Sequence, residues 1–340
     1  ADEPPLDLYR PALRAQLPTI LDLAPLTLRH PRRRAMARLA DASVEGFRQA
    51  LRSRGFVEIH TPKLGGSATE GGANVFPVDY FGRPAYLAQS PQLYKQIMVG
   101  VFERVYEVGP VFRAEPHDST RHLNEYTSLD LEMGFIDDHR EVMAVLRDVL
   151  AAMVAAIAEA PWSASVIQLL GMTLPHVPAE IPSVHFADAL RLASDATGQD
   201  LREEPDLAPA HEAWLGEWAH REHDSDFLFV TGYPTAKRAF YTHPDLARPE
   251  YSNSFDLLFR GLELSTGGQR LHRYEDYLAA LAARGLDAEP FAGYLQAFKY
   301  GMPPHGGCAL GLERWLARLT GVTNVREATL FPRDLHRLTP

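Results

Sequence analysis

Between Val105 and Phe135 the chain reads VYEVGPVFRAEPHDSTRHLNEYTSLDLEMGF, and its charged residues fall in a pattern that could do chemistry. Ser128, Asp130 and Glu132 alternate with Leu129, Leu131 and Met133. That period of two marks a strand with one apolar and one polar face. Glu107 and Arg113 have equal parity on the strand before it, so they share a face. The stretch between, from Ala114 to Asn124, holds Glu115, His117, Asp118, Arg121 and His122. Carboxylates beside a loop dense in Arg and His suit an anionic ligand that carries a metal ion. Guanidinium is always charged and grips phosphate oxygens in pairs, and Mg²⁺ takes one or two carboxylates together with phosphate.

The remaining chain must position these groups. Residues 1–30 hold five prolines and little periodicity, and read as a connector across a surface. The basic cluster Arg29–Arg34 reads as a solvated helix start. Residues 33–54 are an amphipathic helix with Met36, Leu39, Val44, Phe47 and Leu51 near 3.6 spacing and Gly55 beyond its end. The strand FVEIHTP follows. Gly65–Phe76, GGSATEGGANVF, is rich in glycine but lacks the Lys-Ser/Thr ending of a P-loop and the strand–helix setting of a dinucleotide fingerprint. Gln92–Phe102 is a short helix with Tyr94, Ile97, Met98 and Val101 as its core face and Lys95 on another. Residues 139–160 form an alanine-rich helix, and 161–228 read as an inserted helical subdomain of open role. Asp256 and Glu263 have opposite parity, so Gly261 marks a bulge or turn. Helices near 273–284 and 288–299 precede GMPPHGGCALGLERW, a glycine-rich strand running into a helix. The scattered histidines show no metal-ligand spacing.

The 340 residues can bury a large core, and 46% hydrophobic with 23% charged residues is a globular composition. Cys308 is the only cysteine, which excludes an internal disulfide and fits a reducing, cytoplasmic setting. The net charge of -10 argues against indiscriminate nucleic-acid binding, though not against a local basic patch. The acidic start ADEPPLDLYR is unlike a signal peptide, and a first residue of Ala leads us to expect a processed, trimmed or incomplete chain.

F-R-A-E followed by R-H-L-N-E-Y resembles motif 2 of the class II aminoacyl-tRNA synthetases, and G-L-E-R near the end resembles motif 3. The helix, strand and Pro62 ahead of them resemble motif 1. S-L-D-L-E-M and Q-S-P-Q-L-Y-K-Q are similar to the aspartyl branch, in its archaeal-type form, which includes bacterial enzymes charging both tRNA-Asp and tRNA-Asn. The resemblance runs from about Leu6 to Pro340. It implies an α+β fold, an antiparallel sheet flanked by helices, with 1–30 as hinge and 31–340 as catalytic domain, in a homodimer. An OB-fold anticodon-binding domain, which such a hinge joins to the core, has no counterpart in this sequence.

The implied reaction is attack of an aspartate α-carboxylate on the α-phosphorus of ATP, followed by transfer to tRNA. Two anions must meet, so fixed cations and positioning are the main requirements. By resemblance, Arg113 takes the α-phosphate, Glu115 the adenine amino group, Tyr126 the adenine ring, His122 the phosphates and Arg314 the γ-phosphate. Glu263 and Thr266 are the Mg²⁺ candidates, with threonine where the family often has serine. Lys95 and Arg270 face the side chain of L-aspartate. Glu70 and Gln92 orient its ammonium, with Asp130 assisting them or buttressing the two cations. Two cations favour aspartate over asparagine, and so weigh against an asparaginyl-tRNA synthetase. A synthetase-derived asparagine synthetase, in which ammonia attacks the adenylate, is the alternative reading. The connector at 1–30 counts against it. A non-catalytic relative is disfavoured because Arg113, Glu115, Glu263, Arg270 and Arg314 are all retained.

Overall fold

The computed structural model describes residues 3–66 and 74–340. Its strands are β1 (Val57–Glu58), β2 (Leu64–Gly65), β3 (Pro77–Tyr80), β4 (Arg83–Leu87), β5 (Arg104–Phe112), β6 (Glu125–Gly134), β7 (Ser183–His185), β8 (Phe227–Thr231), β9 (Ser254–Phe259), β10 (Leu262–Gln269) and β11 (His305–Gly311). Eight of them form one sheet in the order β1-β5-β6-β11-β10-β9-β8-β7, while β2, β4 and β3 form a small second sheet. The ladders from β5 to β8 are antiparallel, as expected, but β1 and β7 at the two edges pair parallel.

The alternation read from the sequence decides what each face of the sheet does. Leu129, Leu131 and Met133 of β6 pack into the main core with Leu146, Val149 and Met153 of the helix His139–Glu159. That helix lies against Pro31–Arg52, which buries Met36, Leu39, Phe47 and Leu51 at the predicted spacing. The approach is close: a Cβ on Gly46 would stand 2.6 Å from the Ala152 carbonyl oxygen. Burying each such large apolar side chain contributes on the order of 1.5–3 kcal/mol. Both helices start at a side-chain cap, His30 accepting from the Arg32 N–H and Asp138 from the Arg140 N–H. Ser128, Asp130 and Glu132 point to the other face, where no polar group can be left unpaired without cost.

Two expectations change, and a third is narrowed. The helix Gln92–Phe102 has the predicted bounds but buries Gln92, Lys95, Gln96 and Val99, whereas Val101 is 61% exposed. The reason is that this helix packs on the polar face of β6, so its polar stripe faces inward. Residues 161–228 are not purely helical. The helices Ser163–Leu170, Phe186–Thr197 and Pro209–His223 are joined by β7, and β8 opens at Phe227; both strands extend the main sheet. Gly261 is a turn, with Arg260 at φ 47° and Gly261 at φ 73°, the left-handed pair that suits a two-residue hairpin. A separate bulge lies between Glu263 and Ser265.

Candidate active site

A cavity of about 560 Å³ opens over the polar face of β6, β10 and β11. The loop between β5 and β6 walls it with Arg113, Glu115 and His122, and Tyr126 at the start of β6 joins them. The loop is held in shape from several sides. The Arg113 N–H donates to the Asn124 carbonyl at 2.9 Å, and Asn124 Nδ2 donates back to the Arg113 carbonyl at 2.7 Å. Arg326, from the C-terminal segment, donates to the Ser119 carbonyl at 3.1 Å and to Asp118 at 3.0 Å. The Ser119 hydroxyl bonds His122 Nδ1 at 2.5 Å. Burial and the nearby Arg314, outweighing the Glu115 charge, hold the His122 imidazole below its ordinary value.

Arg113 lies 5.8 Å from the Tyr126 ring centre and 4.0 Å from Glu115. It therefore combines a cation, an aromatic face and a carboxylate at one end of the cavity. Glu107, of the same parity, is turned away: its carboxylate accepts from Thr61 and from Lys63 at 2.7 Å.

On β10, Glu263 and Thr266 are three residues apart and would face opposite ways on a regular strand. The bulge corrects this, and the Thr266 hydroxyl donates to Glu263 Oε1 at 3.1 Å. Arg314, one turn into the helix Leu312–Thr320, donates to the Glu263 carbonyl at 2.9 Å and stands 3.7 Å from its carboxylate. Asp256 sits directly across the ladder from Thr266. Burial raises the Asp256 carboxyl above its ordinary value, the Glu263 charge adds to this, and Arg238 at 2.9 Å opposes it. A divalent cation would relieve such crowding of two carboxylates, so this donor set fits Mg²⁺. Among the described residues, no group of three or more His, Cys, Asp or Glu forms a metal cluster by protein ligands alone.

The other end of the cavity rests on a buried ion network. Arg270 donates through Nε to Glu132 at 2.8 Å and through Nη2 to the Gly307 carbonyl at 3.0 Å. Lys95 Nζ lies 3.2 Å from Glu132, 3.1 Å from Asp130 and 3.2 Å from the Cys308 carbonyl. Gln92 accepts from Arg270 at 3.4 Å. Burial works against all these charges, yet Asp130 and Glu132 hold the Lys95 ammonium above the ordinary lysine value. Arg270 and Lys95 in turn hold Glu132 below the usual carboxylate range. Gly307 makes the room: a Cβ there would fall 2.1 Å from Glu132 Oε2.

Of the residues expected to meet ligands, Gln92, Arg113, Glu115, His122, Tyr126, Asp130, Glu263, Thr266, Arg270 and Arg314 all line this one cavity. Lys95 is placed differently from the expectation. It is 1% exposed beneath the floor, its ammonium taken by protein acceptors, so Arg270 alone of the cation pair lines the cavity. Asp130 bonds Lys95 through one oxygen at 3.1 Å, and its other oxygen is bonded by Ser128 at 2.5 Å. Glu70 lies outside the described residues.

Several residues lining the cavity or buried beside it were not singled out from the sequence. Asp256 entered only as a parity problem. Lys237, Arg238 and Tyr241 come from a stretch without periodicity. Glu132 was visible as the next polar position after Asp130, and only the packing shows that it holds both cations.

Glu313 also lines the cavity, and both its oxygens accept from the Thr127 N–H at 3.1 Å. Burial pushes its carboxyl up to about 7 from 4.5. A folded value above the unfolded one means that the fold favours the protonated form. This contribution to stability is complete below about pH 4.5 and is lost as pH rises through about 7. Glu313→Gln should therefore flatten the decline in denaturation midpoint between about pH 5 and 8. A decline as steep as the wild type's would show that the carboxyl is not the group titrating.

A cation-rich end beside an aromatic ring and an ion-paired end thus share one cavity over a largely antiparallel sheet. Residues 17–335 match the family of class II tRNA synthetases (D, K and N), and the chain belongs to that family. It is 50% identical to an aspartate–tRNA(Asp/Asn) ligase of Thermus thermophilus, over 99% of this chain and 78% of that protein. Against the aspartate–tRNA(Asp/Asn) ligase of Aeropyrum pernix it is 46% identical over 96% of the chain and 74% of that protein. Among solved structures, asparaginyl-tRNA synthetase from Pyrococcus horikoshii with asparaginyl-adenylate superposes with a TM-score of 0.89 at 31% identity. That alignment covers 96% of this chain and 74% of the other.

Proposed function

We propose that this chain activates L-aspartate with ATP to aspartyl-adenylate and transfers the aspartyl group to tRNA-Asp and to tRNA-Asn. The observation that carries the amino-acid choice is the Arg270–Glu132–Lys95 network at one end of the cavity. Arg270, with its guanidinium 5.4 Å from the Tyr241 ring centre, presents positive charge to a side-chain carboxylate. An amide in that place would leave the cation poorly paired, and a charge pair at about 4 Å is worth roughly 4 kcal/mol at an effective dielectric near 20.

In the first step an α-carboxylate oxygen bonds to the α-phosphorus while the bond to pyrophosphate breaks. Arg113 binds the α-phosphate and offsets the charge that builds on it, and Tyr126 and Glu115 hold the adenine by stacking and hydrogen bonding. His122 and Arg314 orient the outer phosphates. Asp256, Glu263 and Thr266 would hold Mg²⁺, which supplies further positive charge to the phosphates when bound. In the second step a terminal ribose hydroxyl of the tRNA attacks the aspartyl carbonyl carbon and AMP leaves.

Two copies working together fit the exposed apolar side chains near one sheet edge. Val57 on β1, Val101 and Phe102 at a helix end, and Phe135 after β6 are all solvent-facing. The tRNA substrates assign the work to the cytoplasm. Separately, no helix among the described residues is long and apolar enough to cross a membrane.

The test supplies aspartate, ATP and Mg²⁺ with transcripts of each tRNA and follows acid-precipitable aspartate. Aspartylation of both transcripts is expected. Charging of tRNA-Asp alone would remove the tRNA-Asn half of the proposal. Absence of any aspartate-dependent ATP–pyrophosphate exchange would remove all of it.

A further inference from the structure

Helix Pro209–His223 belongs to the stretch 161–228, whose role the sequence leaves open, yet it reaches the candidate active site through Glu212. The Glu212 side chain is 12% exposed. Its Oε2 accepts from the Glu263 N–H at 3.1 Å and from Arg121 Nη2 at 3.4 Å. Both partners line the cavity but come from different elements, Glu263 from β10 and Arg121 from the loop before β6. The Glu263 carbonyl is already bonded by Arg314 at 2.9 Å. Both backbone polar groups of Glu263 are thus held, one by the helix Leu312–Thr320 and one by Glu212. This matters because Glu263 borders the bulge, where the ladder itself holds the chain least.

The helix is seated firmly enough to act as a strut. Gly216 lies so close to the hairpin turn that a Cβ there would stand 2.4 Å from the Gly261 nitrogen. Leu215 and Ala219 on the same helix are buried beside Leu228 and Val230 of β8. Burial raises the Glu212 carboxyl above its ordinary value, and Glu263 adds to that rise while the Glu263 N–H and the Arg121 guanidinium work against it. The two hydrogen bonds, not its charge alone, hold the carboxylate oxygen in place.

We propose that Glu212 is a positioning residue for the nucleotide end of the site, fixing the Glu263 backbone at the bulge and restraining Arg121 of the loop before β6. The effect on ATP rests on the proposed function, whereas the effect on the hairpin does not.

The experiment uses the full chain as wild type, Glu212→Ala and Glu212→Gln. Michaelis constants for ATP and aspartate come from pyrophosphate exchange, and amide hydrogen exchange of the β9–β10 hairpin is read without nucleotide. Loss of a hydrogen bond to a charged group should raise KM for ATP about tenfold in Glu212→Ala and leave KM for aspartate within about twofold. Hairpin amides should exchange faster in the same variant. Glu212→Gln keeps an oxygen for the Glu263 N–H, so it should retain hairpin protection and recover most of the ATP affinity. If Glu212→Ala does not fold, Glu212→Asp, one methylene too short to reach both partners, replaces it. Equal rises in both Michaelis constants, or unchanged hairpin exchange, would overturn the proposal. A wild type inactive with aspartate would instead remove the proposed function, and the hairpin exchange would still decide the role of Glu212.

Discussion

Arg113→Ala should lower aspartate-dependent ATP–pyrophosphate exchange by about a hundred- to a thousandfold, with the protein still folded, because removing one fixed donor from a developing anion costs about that much. The structure supports both halves of that expectation. Arg113 lies just past the end of β5, on the cavity wall and outside the apolar core, and its side chain is 44% exposed. The loop backbone around it is held by Asn124 and Arg326, so truncating the side chain leaves that frame standing. Lysine would be a poor substitute, since its single ammonium cannot span two phosphate oxygens. Circular dichroism and exchange on the same preparation check this. Near-normal exchange would mean that another cation meets the α-phosphate.

Arg270→Met should raise KM for aspartate by about two orders of magnitude and change KM for ATP by less than about threefold, because roughly 4 kcal/mol of ion pairing is at stake before desolvation is subtracted. It should also destabilise the protein. Glu132 is fully buried and would keep Lys95 as its remaining cation, and breaking a buried pair costs about 3–5 kcal/mol. Lys95→Met is the informative comparison. Lys95 bonds Asp130, Glu132 and two backbone carbonyls, so its loss should act first on stability and on the placement of Arg270. Separate titrations with aspartate and with ATP distinguish the two. Equal losses for both ligands in Arg270→Met would show that Arg270 is structural.

Much of the site was legible because strand parity and local motif spacing are properties of neighbouring residues. The alternation of Ser128, Asp130 and Glu132 with leucines determined a polar face, and the loop from Ala114 to Asn124 fell where it was expected, between β5 and β6. The helix Pro31–Arg52 and the strand–helix unit from His305 to Thr320 were readable for the same reason. The order of these pieces along the chain was enough to indicate the family.

The sequence by itself determined which residue types lie on each face of each element. Tertiary packing decided which polar residue lines the cavity and which is buried against other residues. Lys95 and Arg270 look alike as two cations in family-like motifs, yet Lys95 is roofed over by β6 and β11 while Arg270 lines the cavity. That outcome depends on Gly307, whose missing Cβ lets the Glu132 carboxylate sit between them. The inverted helix Gln92–Phe102 has the same cause: an amphipathic pattern says that two faces differ, and the polarity of the surface beneath decides which is buried. Glu212 was illegible because its partners are 51 and 91 residues away, and no local pattern encodes a contact across that separation.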